Sequence, residues 1–573
     1  MATLTPLAKG LLTIAIVGVA AAVAWNFGLK EMIDSRLPGL TGGPSTATSG
    51  QSSQGGQSGG TAATPAGGGA APATPSGKAG SGPLGSPGNP LKVSIVSFHG
   101  YAPGLLANGK SLATEAGSIY AKAGVNVEFV IQDDIPTLAT IFEAKTAQCA
   151  WRTSDFWAQE QPNLRNAGHD ARAVMIVDNT QGADAIISRT PDIKRVEDLA
   201  DKRVALLQFT PSHGMLIDAI ENSSLTARKK SSIKQIYINA EEGTAGVRAA
   251  LESGNVDAAV LWDPDLSLAL KKVPGSTVVY STKTASNLIY DVMVCDSRVL
   301  NAPADQAAIG AFVSGWMQGV TAARAAPDEA VDALIRTEKF FKLLADEQGK
   351  PFIKGLFANL VWTGLEDNAR ILGLAGGTNH YERVYARFDG IYRAAGALAN
   401  PKSPVIAPQD SFDYRFINTL LTKDAPAKQA ATVPEFKFTE EQRTEAVAKG
   451  AALTKPVTVS FASGSAELNK RAQKTLDDEL APFIESNGSA YFEISGNTDS
   501  VGSRDTNMRL SRARAEAVVA YLVKQWEFAP ARFKIVGNGP DKPLCVEANA
   551  AAEDMTVEQC RAMNRSTRAA VLR

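Results

Sequence analysis

The chain has 573 residues, with 58 Lys and Arg against 59 Asp and Glu and a formal net charge of −1. That length predicts two to four domains rather than one, and the even charge balance lacks the basic footprint of a nucleic-acid binder. Cys149, Cys295, Cys545 and Cys560 show no C-x-x-C spacing and the four histidines are scattered, so no zinc site, other metal or cofactor is expected.

Residues 1–9 read as a short cytoplasmic end. From Gly10 to Leu29 the sequence carries no charge, and about 20 such residues suffice to cross a bilayer as a helix. Trp25 and Phe27 suit an interfacial belt. Ala22-Val23-Ala24 meets the small-residue rule of a cleaved signal peptide, but the apolar run continues past it, which favours a retained inner-membrane anchor. No Cys follows the run, which argues against a lipoprotein. Residues 40–90 are almost entirely Gly, Ser, Thr, Ala and Pro with one charge, Lys78. Such a segment buries too little apolar surface to offset its chain entropy, so it reads as a disordered tether with a typical span of about 40 Å.

At Leu91 the pattern changes. Val93, Ile95 and Val96 mark a short strand ending in Ser97-Phe98-His99-Gly100-Tyr101, a helical pattern follows from about Asn108 to Ala123, and Val125 to Ile131 is the next strand. This alternation continues to about residue 300 and predicts an α/β fold on a largely parallel sheet, whose ligands sit at the carboxyl ends of strands. Three polar stretches fall at such ends: Arg152-Thr153-Ser154-Asp155, Thr210-Pro211-Ser212-His213-Gly214 and Trp262-Asp263-Pro264-Asp265. Thr210 is a predicted helix N-cap with Pro211 at the first helical position, and the amides there could receive an anion or a carbonyl. Cys149 and Cys295 lie in apolar strand-like runs and read as buried thiols.

The segment Asp198-Leu199-Ala200-Asp201-Lys202-Arg203-Val204-Ala205 and the segment Ala250-Leu251-Glu252-Ser253-Gly254-Asn255-Val256-Asp257-Ala258-Ala259-Val260-Leu261-Trp262-Asp263-Pro264 resemble periplasmic substrate-binding proteins of the nitrate, sulfonate and thiamine-precursor type. The resemblance covers roughly residues 91 to 400, inside a domain read as 91–422. It implies a type II periplasmic-binding fold whose two lobes close on a small solute, with Ser97, Thr153, Asp155, Thr210, Ser212, Trp262 and Asp263 lining the cleft. A membrane transporter or a sensor would be the further partner. The cysteine-rich signature of the enzymes related to this family is missing, and neither His99 nor His213 has a recognisable nucleophile beside it, so no catalytic residue and no enzyme is expected.

After residue 300 helices dominate: Asp305 to Ala325, Asp328 to Lys342 and Glu382 to Ala397. Residues 423–436 read as a linker to a last domain, 437–573. There Val457, Val459 and Phe461 alternate as a strand, a helix carries Leu468, Ala472, Leu476, Leu480 and Phe483, and Tyr491 to Ser495 alternate as a second strand. Leu510, Ala513, Ala517 and Tyr521 recur at helical spacing as the apolar stripe, beside a stripe of Asn507, Ser511, Arg514 and Val518. Phe533 to Val536 and Thr567 to Leu572 supply the remaining strands of a two-layer α+β plan. Cys545 and Cys560 are placed to form a disulfide in an oxidising compartment.

Between the second strand and its helix stands Gly496-Asn497-Thr498-Asp499, followed by Asn507 and by Leu510-Ser511 with Arg514-Ala515. A carboxylate and a guanidinium flanking one pocket suit a zwitterion: Asp499 for an ammonium, Arg514 for a carboxylate. This pattern resembles the OmpA-like peptidoglycan-binding domain, with Arg561 and Asn564-Arg565 matching its closing element. Asn497, where many members carry His, and Ser566, where a second Arg is common, depart from it. The resemblance implies that Asp499 and Arg514, with Asn507, Thr498, Asn497, Ser511 and Arg565 around them, hold the meso-diaminopimelate of the wall peptide. The whole chain then reads as an inner-membrane-anchored periplasmic protein that binds a solute and attaches non-covalently to peptidoglycan, for transport or sensing. An architectural membrane-to-wall linker is the alternative. A MotB-like stator component is a weaker one, because residues 10–29 contain no acidic residue.

Overall fold

A computed structural model describes residues 82–424, 438–462 and 464–572. The stretch 10–29, expected to cross a membrane, lies outside the described residues, as do most of the tether and of the 423–436 linker. Among the described residues no helix is long and apolar enough to cross a membrane.

The tether ends earlier than its composition implies. Residues 82–90 are described and folded: Gly85 N–H donates to Asn89 O at 2.8 Å, and Asn126 N–H donates back to Gly85 O at 2.7 Å. Leu84 packs on the core.

Strands β1 (Leu91–Ile95), β2 (Val127–Ile131), β3 (Cys149–Thr153) and β4 (Ala171–Thr180) build the first lobe. The chain crosses at 181–183 into a second lobe of β5 (Asp184–Ser188), β6 (Arg203–Leu207), β7 (Lys234–Ile238), β8 (Ala258–Trp262) and β9 (Thr277–Ser281). It returns through 282–289 to β10 (Tyr290–Asp296) and β11 (Leu360–Trp362). The sheet orders are β11-β4-β10-β3-β1-β2 and β7-β6-β8-β5-β9.

Both sheets are mixed, not largely parallel as the alternation suggests. β10 runs antiparallel between β3 and β4, and β5 runs antiparallel between β8 and β9. The cause is topological: a strand that re-enters a lobe directly from the other one arrives without the helical crossover that parallel neighbours need. Every residue of β10 is buried, which explains why it reads as an apolar run. The pairing sets Cys295 opposite Cys149, and the two form a disulfide across 146 residues rather than remaining thiols. Proximity of strands so distant in sequence leaves no local signal.

Local expectations shift in places. The pattern at 108–123 yields helices only at Ala102–Ala107 and Ile119–Lys122. The pattern at 328–342 divides into Pro327–Thr337 and Lys339–Gln348, and β3 runs on to Thr153, so Ser154 and Asp155 open the helix Ser154–Asn166 instead of forming a loop. The long helix Pro303–Ala325 forms as expected, with Pro303 at the position where its missing N–H costs nothing.

The C-terminal region has β12 (Ala451–Val457), β13 (Tyr491–Asn497), β14 (Phe533–Gly539) and β15 (Thr567–Leu572) in the order β12-β15-β13-β14. β12 ends at Val457, so Val459 and Phe461 follow the strand. The buried stripe of helix Arg504–Trp526 is Asn507, Ser511, Ala515, Val518 and Leu522 with Val519, whereas Leu510, Ala513, Ala517 and Tyr521 are half-buried. Small and polar residues win the inner face because the helix backbone lies directly on the strands. A Cβ on Gly496 would stand 1.9 Å from Ser511 O, and one on Gly537 2.7 Å from Arg512 N.

Cys545 and Cys560 form a disulfide with their Cα atoms 5.4 Å apart. Closing this 15-residue separation is worth about 3 kcal/mol in the chain-entropy model. Cys560→Ser is therefore expected to lower the urea midpoint of the C-terminal region measurably, and an unchanged midpoint would contradict this.

The regions do not hang as separate beads, since the described residues fall in one compact unit. The turn after helix Ala481–Ser486 sits on the second crossover. Asn287 donates from its backbone to Ser486 O at 3.1 Å and from Nδ2 to Glu485 O at 2.8 Å, and Tyr280 Oη donates to Asn487 Oδ1 at 2.8 Å.

Candidate functional site

In the C-terminal region the polar positions divide by role. Asn497 is buried, donates to Ser566 O at 3.1 Å and accepts from Asn538 Nδ2 at 3.1 Å. Ser511 Oγ donates to Met508 O and accepts the Gly539 N–H, both at 2.9 Å. Asn507 Nδ2 donates to Val501 O at 3.0 Å, and Thr498 Oγ1 to Asp499 O at 3.0 Å. These four fix the turn between β13 and its helix.

The charges lie around that turn. Asp499 accepts from Arg565 Nη1 at 2.6 Å and from the Val501 N–H at 3.1 Å. Arg514 does not touch Asp499: its Nε donates to Ser465 O at 3.0 Å, and its guanidinium lies 4.8 Å from the Phe461 ring centre. Burial pulls the Arg514 guanidinium below its usual value while the Asp499 charge opposes this. Two acids escaped the sequence reading. Glu558 accepts from Arg565 Nη2 at 2.6 Å, and Glu547 accepts from Arg561 Nε and Ser500 Oγ, both at 2.9 Å. The spacing of Glu558 and Arg561 on the helix Val557–Asn564, with Arg565 at its C-cap, was the available signal.

Of the residues expected to line the cleft between the lobes, Thr153, Asp155, Thr210, Ser212 and Asp263 are buried. Ser97 is tied to Asp133 through its N–H at 2.7 Å and its hydroxyl at 2.8 Å. Thr210 is the N-cap residue as expected, yet its hydroxyl donates back to Leu207 O at 2.8 Å rather than capping the helix Pro211–Glu221. Ser212 in the first turn is buried, and Trp262 is half-buried at the end of β8, opposite Asp184. Asp263 accepts from the Ser267 N–H at 3.0 Å and from Asn359 Nδ2 at 2.7 Å, and burial pushes its carboxyl up to about 6. Thr153 and Asp155 are buried, and burial pushes Asp155 up to about 7.

The structure adds Asp178, Asp184 and Asp291 to this seam between the lobes. Asp291 stands opposite Thr153 on one side and Asp178 on the other, and it accepts from Tyr101 Oη at 2.7 Å. The polar tail Asp178-Asn179-Thr180 ending an apolar run was its legible sign. His99 is buried against Phe357, with its pKa driven down to about 3 by burial. His213 Nδ1 accepts the Phe209 N–H at 3.2 Å.

Residues 460–555 match the model of the OmpA family. That segment is an OmpA domain. Over 94 residues the chain is 37% identical to a peptidoglycan-associated lipoprotein of Pseudomonas putida, covering 16% of this chain and 55% of that protein. A putative aliphatic sulfonates-binding protein of Escherichia coli is 31% identical over 168 residues, 29% of this chain and 46% of that protein. The chain thus spans about half the length of these curated relatives. The solved periplasmic aliphatic sulphonate binding protein SsuA from Escherichia coli overlays at TM-score 0.43 and 16% identity, covering 56% of this chain and 96% of that one. Ahead of the OmpA domain the chain has the two-lobed α/β fold of two mixed sheets described above.

Proposed function

We propose that the protein is an envelope receptor, tethered to the inner membrane by residues 10–29, that takes a small solute between its two lobes and holds to peptidoglycan through its OmpA domain. What supports the wall-binding half is the pairing of opposite charges, Asp499 in the turn after β13 and Arg514 on the helix Arg504–Trp526 that follows it. The diaminopimelate centre of a wall stem is a zwitterion, and this pair offers each of its charges a partner. Arg565, already on Asp499, would hold the carboxylate in place until an ammonium arrives. On the solute-binding half, the two crossovers at 181–183 and 282–289 supply the hinge and the buried polar groups of the seam supply the contacts.

Sedimentation of the full chain with purified diaminopimelate-type wall tests the first half. Asp499→Ala and Arg514→Ala are each expected to weaken co-sedimentation at least tenfold, because each leaves one charge of the stem without its partner. Full retention of both variants in the pellet would sink the assignment.

A further inference from the structure

Four carboxylates lie around the place where the two lobes join. Asp178 is three residues before the first crossover, Asp184 follows it, Asp291 follows the second crossover, and Asp155 opens the helix after β3. The ladders set Thr153, Asp291, Asp178 and Trp362 in one row across β3, β10, β4 and β11, so their side chains share one face of the sheet. The Asp178 carboxylate is pressed so close to the chain that a Cβ on Gly100 would stand 2.0 Å from it. Asp178 and Asp155 are wholly buried. Neither oxygen of Asp178 has a hydrogen-bond partner.

Among the described residues none of the four stands in an ion pair. The nearby buried guanidinium, Arg152, pairs with Glu160 and belongs to the residue next to Thr153, hence to the opposite face of the sheet. Burial raises all four carboxyls, and for Asp178 and Asp184 the like charges around them add to it. A separate observation comes from the other lobe. Tyr392, whose hydroxyl the Asp155 charge acts on, donates from that hydroxyl to Thr210 O at 2.8 Å, at the start of helix Pro211–Glu221. In the first turn of that helix the Ser212 hydroxyl is buried, with 2% of the residue exposed, and has no partner.

Buried carboxylates without counter-charge are costly to keep, and the buried, unpartnered Ser212 hydroxyl is a second unmet demand. We infer that the solute of this receptor is a small organic cation, an ammonium or guanidinium compound, whose charge is taken by Asp178 and Asp291 and whose polar end meets Ser212. The four acids straddle two crossovers, and among the described residues no three acidic, His or Cys side chains converge as metal ligands, so an extended organic ion fits better than a metal. This charge is opposite to that of an aliphatic sulfonate.

The inference rests on the receptor reading, and one experiment separates the two. The full chain is purified from its own host without refolding and its co-purifying solute is weighed by native mass spectrometry. The emptied protein is then titrated by calorimetry with agmatine, putrescine and methanesulfonate. A cationic solute, or binding of agmatine or putrescine but not methanesulfonate, is the expected result. Asp178→Asn should weaken that binding at least tenfold while raising the melting temperature of the empty protein, a pair of opposite signs that a merely structural role would not give. An anionic or neutral solute, or methanesulfonate binding that survives Asp178→Asn, overturns the cation and leaves the receptor standing. No solute and no binding of any probe overturns both.

Discussion

Gly496→Ala is expected to cost the OmpA domain about 3 kcal/mol, near the upper end for overpacking, because a single methyl there meets a backbone oxygen that cannot rotate away. The added Cβ would stand 1.9 Å from Ser511 O and 2.7 Å from the Ser511 carbonyl carbon. Relief requires the helix Arg504–Trp526 to lift from β13, which would withdraw the Ser511 hydroxyl from the Gly539 N–H and move Arg514 away from Asp499. Stability and wall binding should therefore fall together. Gly355→Ala is the contrast: nothing lies within 4 Å of its added Cβ, and a helical Ala replacing Gly should gain about 0.5–1 kcal/mol. Urea melts of the two variants decide it. A Gly496→Ala protein that melts like the parent would show that the helix does not ride on the strand.

Glu160→Ala should destabilise the first lobe by about 3–5 kcal/mol. Arg152 is 1% exposed and its guanidinium is gripped by Glu160, with Nη2 to Oε1 at 2.7 Å. Removing the acid strands a buried positive charge that retains the carbonyls of Trp151 and Leu138 and the face of the Phe142 ring. The double variant Arg152→Met with Glu160→Met should recover most of the loss, since an apolar pair of similar volume commonly replaces a buried ion pair at little cost. Equal denaturation midpoints for the single and double variants would show that the stranded charge is not the cause.

How much was legible depended on where each signal lived. The residues from Gly496 to Ala515 could be read because one strand, one turn and one helix bring them together, and every spacing within them is local. Thr153, Asp155, Thr210 and Ser212 were visible as polar stretches after apolar runs. Asp178, Asp184 and Asp291 were not singled out, because a lone Asp at the edge of a buried strand looks like any strand end until its neighbours are known.

The sequence by itself determined the order of the regions, the polar turn at Asn497–Asp499, the N-cap position of Thr210 and the buried character of β10 around Cys295, all properties set by a few adjacent residues. Tertiary structure alone decided the rest: which strands re-enter antiparallel, that Cys149 meets Cys295, that Arg565 sits on Asp499, and that residues 485–489 rest on the second crossover. Each of these joins residues far apart in the chain. Local propensity is blind to such pairs, whose approach is fixed by how whole faces bury against one another.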